Sequence, residues 1–89
     1  MDEPKPGEIY EHFKGGDYEV LDIARDCENP SKKVVVYKSL YEHEEYPRGT
    51  VWTRSLDDFV SEKEIERDME IYGKIFKKGD RVKRFSLKE

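Results

Sequence analysis

Seven residues carry the chemistry that this chain of 89 residues could perform. Tyr10, His12 and Lys14 alternate, so a strand running through them sets all three on one face. Tyr37, Trp52 and Arg54 join that face if neighbouring strands present the same side. Arg25 stands where a second strand meets a turn. Rings offer contact area at small entropic cost, and a guanidinium makes planar, two-pronged contacts to carboxylate or phosphate. A base stacked on Trp or Tyr gains ~1–3 kcal/mol. The set reads as a groove for an extended peptide or protein partner, with RNA as the alternative ligand. The competing assignment puts Trp52, Tyr37 and Tyr10 in the core, with His12 and Arg54 answering buried carboxylates, because a small fold needs its large side chains inside.

Catalysis has weaker signals. His12 could serve as a general base near neutral pH, which makes a small hydrolytic enzyme the remote alternative. Arg25 lies two residues before Cys27 and could lower its thiol pKa. Neither is accompanied by a nucleophile elbow, a Gly-rich phosphate loop or a spaced triad, so no catalytic residue is expected. Glu42-His43-Glu44-Glu45 gathers oxygen and nitrogen ligands. A solvated acidic loop supplies neither the closed tetrahedral set of structural zinc nor the three convergent ligands of catalytic zinc. No metal and no cofactor are expected.

The elements that must hold these residues are mostly strands. Glu8 to Lys14 alternates, Gly15-Gly16-Asp17 punctuates it, and Tyr18 to Arg25 forms a second strand whose facing reads both ways. Leu21 and Ile23 would share one of its faces, Val20 and Ala24 the other. Lys33 to Tyr41 is the strongest strand, β-branched and aromatic through its middle. A polar loop over 42–49 leads to a fourth strand, Thr50 to Arg54. Ser55 with Asp58 three residues on is a capping pair that opens a helical turn through Phe59. Ser61 with Glu64 repeats the device, and Ile65, Met69, Tyr72 and Phe76 behind it form a helical stripe. A short helical insertion is therefore predicted near residues 62–73, packed on the barrel or on a partner, and a final strand over Arg81 to Leu87. Residues 1–6 read as a flexible lead-in and 7–89 as one domain. The sum is an all-β fold, a small antiparallel barrel whose closure removes the exposed sheet edges.

Composition narrows the function classes. Seventeen Lys and Arg against twenty-one Asp and Glu give a net charge of −4, which disfavours tight non-specific nucleic-acid binding. The charge is uneven: residues 1–30 hold three basic and nine acidic groups, whereas 73–89 hold seven basic and two acidic. That basic tail either meets an anion or answers the acidic first third. Hydrophobic residues make up only 35 % and charged residues 43 %, so the core is small. One Asn and no Gln, amid abundant Lys and Glu, point to selection for heat. The lone cysteine excludes an internal disulfide. The longest aliphatic run is Val34-Val35-Val36, so no membrane span is expected, and the polar start at Met1-Asp2-Glu3 makes the cytoplasm the expected compartment. A monomer or weak homodimer is expected.

The order of several short segments is similar to one known pattern. Gly7-Glu8-Ile9-Tyr10-Glu11-His12-Phe13-Lys14-Gly15, then Tyr18-Glu19-Val20-Leu21-Asp22-Ile23-Ala24-Arg25, Val35-Val36-Tyr37, Leu40-Tyr41, Val51-Trp52-Thr53-Arg54 and Asp58-Phe59 resemble the bacterial family called domain of unknown function 1653. The likeness covers chiefly residues 7–60, with a weaker echo at Arg84-Phe85. It implies a Src-homology-3-like small barrel and no established activity. Between Val60 and Lys83 the chain departs from the pattern by roughly ten extra residues.

Overall fold

A computed structural model describes residues 3–88. The chain runs β1 (Ile9–His12), β2 (Asp17–Arg25), β3 (Lys33–Ser39), β4 (Val51–Ser55), α1 (Leu56–Phe59), β5 (Glu62–Glu64), β6 (Met69–Ile71), β7 (Lys74–Phe76), β8 (Arg81–Lys83) and β9 (Phe85–Lys88). The all-β class is correct. Five strands form one antiparallel sheet in the order β4-β3-β2-β1-β9, and two-stranded sheets pair β5 with β8 and β6 with β7.

The double reading of β2 has a physical cause. Its register against β3 shifts between Val20 and Asp22, where Leu21 is a bulge that adds one residue to the strand. The bulge resets the alternation, so Val20 and Ile23 both reach the core although they are three apart, while Leu21 is exposed. The core beneath the sheet is Val20, Val35, Tyr37, Phe59 and Phe85, ringed by half-buried Tyr10, Tyr18, Ile23, Trp52, Leu56 and Val60. It is largely aromatic. Phe59 and Phe85 stack with centroids 4.1 Å apart, and Tyr37 meets both rings edge-on.

The expected turn of helix after β4 is present. Ser55 caps it, its hydroxyl accepting the Asp58 N–H at 3.2 Å. The turn delivers Phe59 between the two outer strands of the sheet. β4 and β9 make no hydrogen-bonded pair with each other, so the sheet is curled but not a closed barrel, contrary to expectation. Phe59, together with Asp58 bridging Arg54 and Arg84, stands where strand pairing would close it.

The helical insertion near 62–73 is also corrected. That stretch holds β5, β6 and the start of a hairpin turn. Ser61 does not cap a helix, because its hydroxyl donates to the Asp58 carbonyl at 2.6 Å. Tyr72 and Gly73 have φ of 54° and 74°, the left-handed pair that a two-residue type I′ hairpin requires. The stripe residues are nonetheless interior: Ile65, Ile71 and Val82 form a second core, joined by Phe13, Met69, Tyr72 and Phe76. Burial was read correctly and its period was not, since Glu64-Ile65-Glu66 and Met69-Glu70-Ile71 alternate as strands do. The predicted final strand is likewise divided at Arg84, with Val82 in the second core and Phe85 in the first.

The Tyr72 hydroxyl joins the two halves. It lies 2.8 Å from the Lys83 carbonyl, 3.1 Å from that of Glu11 and 3.2 Å from that of Arg84. It donates to one at a time, and burial followed by the nearby Glu11 charge raises its pKa well above the usual phenol range. No helix among the described residues is long and apolar enough to cross a membrane.

Candidate functional site

Strand register decides which of the seven residues meet. Tyr37 of β3 lies opposite Trp52 of β4, and Val35 opposite Arg54, so Tyr37, Trp52 and Arg54 share the inner face. Alternation along β3 continues this face through Ser39 to Tyr41, and Tyr18 of β2 pairs with Ser39. The loop after Tyr41 folds back through a tight turn, in which the His43 N–H donates to the Tyr46 carbonyl at 2.9 Å. Tyr46 is thereby placed edge-on to Trp52, with centroids 4.8 Å apart.

These residues enclose an open cavity of about 240 Å³, lined by Tyr18, Tyr37, Ser39, Tyr41, His43, Tyr46, Trp52 and Arg54. Tyr37 is its buried floor, Trp52 a half-buried wall and Tyr46 an exposed lip. The Tyr18 and Tyr41 hydroxyls lie 2.6 Å apart, and burial with that hydrogen bond raises the Tyr18 pKa far above its ordinary value. Arg54 is the cation in the wall. Its Nε donates to the Tyr37 hydroxyl at 3.3 Å and its Nη1 to Asp58 Oδ2 at 2.6 Å. Burial opposes its charge, but those hydrogen bonds outweigh burial and raise its pKa. The hydrogen bond from Arg54 holds the Asp58 carboxyl below its usual range, despite some burial, and Arg84 at 3.4 Å adds to the effect.

The other four residues lie elsewhere. Tyr10 packs edge-on against Phe59 and donates to Glu8 Oε1 at 3.0 Å, on a separate cavity of about 210 Å³. Burial, then the Glu8 contact, raises its pKa to about 12. His12 is half-buried against Phe85 and Phe13, with centroids at 4.9 and 4.8 Å, and its Nδ1 accepts the Lys14 N–H at 3.1 Å. Burial, followed by the charges of Arg54, Arg84 and Lys14, lowers its pKa to about 4. A ring so held is neutral at pH 7. Lys14 is exposed in the β1–β2 turn, over the Phe13 ring, beside a larger cavity of about 540 Å³ walled mainly by charged side chains. Arg25 is exposed and ties its own turn, donating to the Pro30 carbonyl at 2.8 Å.

Tyr18, Tyr41, His43 and Tyr46 were not anticipated. Alternation from Tyr37 through Ser39 to Tyr41 was the available signal for Tyr41, and the tyrosine that opens β2 was the signal for Tyr18. Nothing in the pattern placed the loop residues His43 and Tyr46, because a turn closed by its own hydrogen bonds positions them.

Curled sheet and ring-lined cavity together define a small all-β protein with a concave aromatic surface. The chain belongs to the family described as Protein of unknown function (DUF1653), whose model matches residues 8–87. The match includes residues 60–83, the stretch set apart by the sequence reading. No curated protein and no solved structure matches the chain.

Proposed function

We propose that this protein is a non-enzymatic recognition module that binds a segment of a protein partner at the cavity between β3, β4 and the 41–46 loop. The observation carrying this reading is the convergence of five aromatic residues and one anchored guanidinium around an open cavity of about 240 Å³. That volume falls below the roughly 300–1,000 Å³ of small-molecule sites and suits one or two side chains. Arg54 is fixed by Tyr37 and Asp58, so little entropy is lost when a ligand meets it. The return of β9 beside β1, with a helical turn between β4 and that return, is the strand arrangement of Src-homology-3-like folds. We read the sheet as an open form of that class, and small barrels of this class take extended ligands on aromatic surfaces.

RNA is a weaker reading because the basic tail is substantially answered from within. Lys88 pairs with Asp17 at 2.9 Å, Arg84 with Asp58 and Arg81 with Glu62 at 3.2 Å. His12 is a packed ring with Nδ1 occupied, so catalysis is not assigned to it.

The test is selection of a displayed library of random decapeptides on the intact protein, with a single-stranded RNA oligonucleotide as comparison. Peptides that bind wild type and lose affinity for Tyr46→Ala and Trp52→Ala support the reading. Binding of the RNA alone, with affinity falling steeply as salt is added, overturns it.

A further inference from the structure

β4 is the outer strand of the five-stranded sheet, and its hydrogen-bonding direction is fixed by its neighbour. The Ser39 N–H donates to the Thr50 carbonyl at 3.0 Å, so antiparallel alternation makes Tyr37–Trp52 and Val35–Arg54 the bonded pairs. The peptide groups of Val51 and Thr53 then face away from β3. Among the described residues, no backbone group is hydrogen-bonded to theirs from that side.

Edges of this kind are ordinarily blunted by Lys, Pro or a covering element. Val51–Ser55 contains neither Lys nor Pro, and Val51 is 56 % exposed. The opposite edge is better protected: the Arg84 N–H, just before β9, donates to the Ser61 carbonyl, and Lys88 is paired with Asp17. The same strand carries Trp52 and Arg54, which line the aromatic cavity. A chain laid along β4 would therefore place every second side chain beside that cavity.

Resting on the reading of the cavity as a recognition site, we propose that the partner segment binds by adding an antiparallel strand to the free edge of β4. The partner's chemistry follows from the surroundings. The loop preceding β4 carries Glu42, Glu44 and Glu45, exposed and in no ion pair among the described residues, against Arg48. An antiparallel strand brings its C-terminal end to that loop. The segment is thus one of alternating apolar residues followed by Lys or Arg.

Amide hydrogen exchange on the full-length protein, with and without the decapeptides selected above, tests this. The Val51 and Thr53 amides should exchange freely alone and become protected on binding. Thr53→Pro removes an outward N–H without touching the β3 ladder, and should weaken binding about ten-fold. If Tyr46→Ala weakens binding but Thr53→Pro and both amides are unaffected, strand addition is wrong and the cavity reading stands. If no selected peptide depends on either the cavity or the edge, both fail. Protection that rises with protein concentration in the absence of peptide would assign the edge to a second copy and overturn the proposal.

Discussion

Acidification should destabilise this protein through His12 well before its carboxylates are neutralised. The folded ring is neutral, with a pKa lowered to about 4, whereas an unfolded chain titrates near 6.5. Between those values the unfolded state binds more protons, so stability is complete above about pH 6.5 and is lost as pH falls through 4. The full gap corresponds to about 3 kcal/mol. His12 is only half-buried, so solvent screening reduces the expected loss to ~1–2 kcal/mol. The local geometry makes the same point. A second proton would sit on Nδ1, which now accepts the Lys14 N–H, and would face the cations Arg54, Arg84 and Lys14.

For a domain of this size, such a loss lowers the midpoint of thermal unfolding by roughly 4–16 °C. Circular-dichroism melts of wild type and His12→Phe, compared from about pH 7 to about pH 4.5, provide the measurement. The variant keeps a ring against Phe85 and cannot take a proton, so its melting temperature should change less with pH. A His12 ring resonance titrating near 6.5, or parallel slopes for the two proteins, would refute the argument.

Three further outcomes are expected. Tyr72→Phe removes the hydroxyl that lies within reach of three carbonyls, and should cost ~1–2 kcal/mol in urea unfolding, with an unchanged slope against denaturant. Gly16→Ala forces a side chain onto a backbone with φ of 91° and against the Tyr41 ring, and should cost ~1–3 kcal/mol. It should also weaken peptide binding, because Tyr41 moves away from its hydroxyl contact with Tyr18. Phe59→Ala empties the position between Phe85, Tyr37 and Tyr10 and should cost ~3–5 kcal/mol, enough to broaden or abolish cooperative melting.

The parts of the fold legible in the sequence are those written locally. β3 is a run of β-branched and aromatic residues, and the turn after β4 carries its cap in Ser55 and Asp58. Elements set by pairing at a distance were misread. The Leu21 bulge exists only because β3 fixes the register on both sides of it. Ile65, Met69, Tyr72 and Phe76 match a helix as well as they match strands, and the choice falls to β8, which supplies partners for β5 from seventeen to nineteen residues away at its closest and farthest counts in that ladder. Three of the seven candidate residues converge because β3 and β4 are adjacent in sequence and in space. Tyr10 and His12 sit on the inner side as expected, but further round the curl.

The cavity and the core are built from the same rings, and this decides how the binding proposal must be tested. With so few aliphatic groups, the interior recruits Tyr37 outright, at 4 % exposure, and takes Trp52 as a half-buried flank. Substituting either one changes packing and binding together, so a loss of affinity there does not separate the two. Tyr46 is different. It is 42 % exposed, is held by the turn with His43, and touches the site through its edge contact with Trp52. Its replacement by Ala should leave stability within about 0.5 kcal/mol of wild type, because no core neighbour loses its support. A fall in peptide affinity without a fall in melting temperature in this variant therefore isolates recognition from folding, whereas equal losses of both would return the whole cavity to the core.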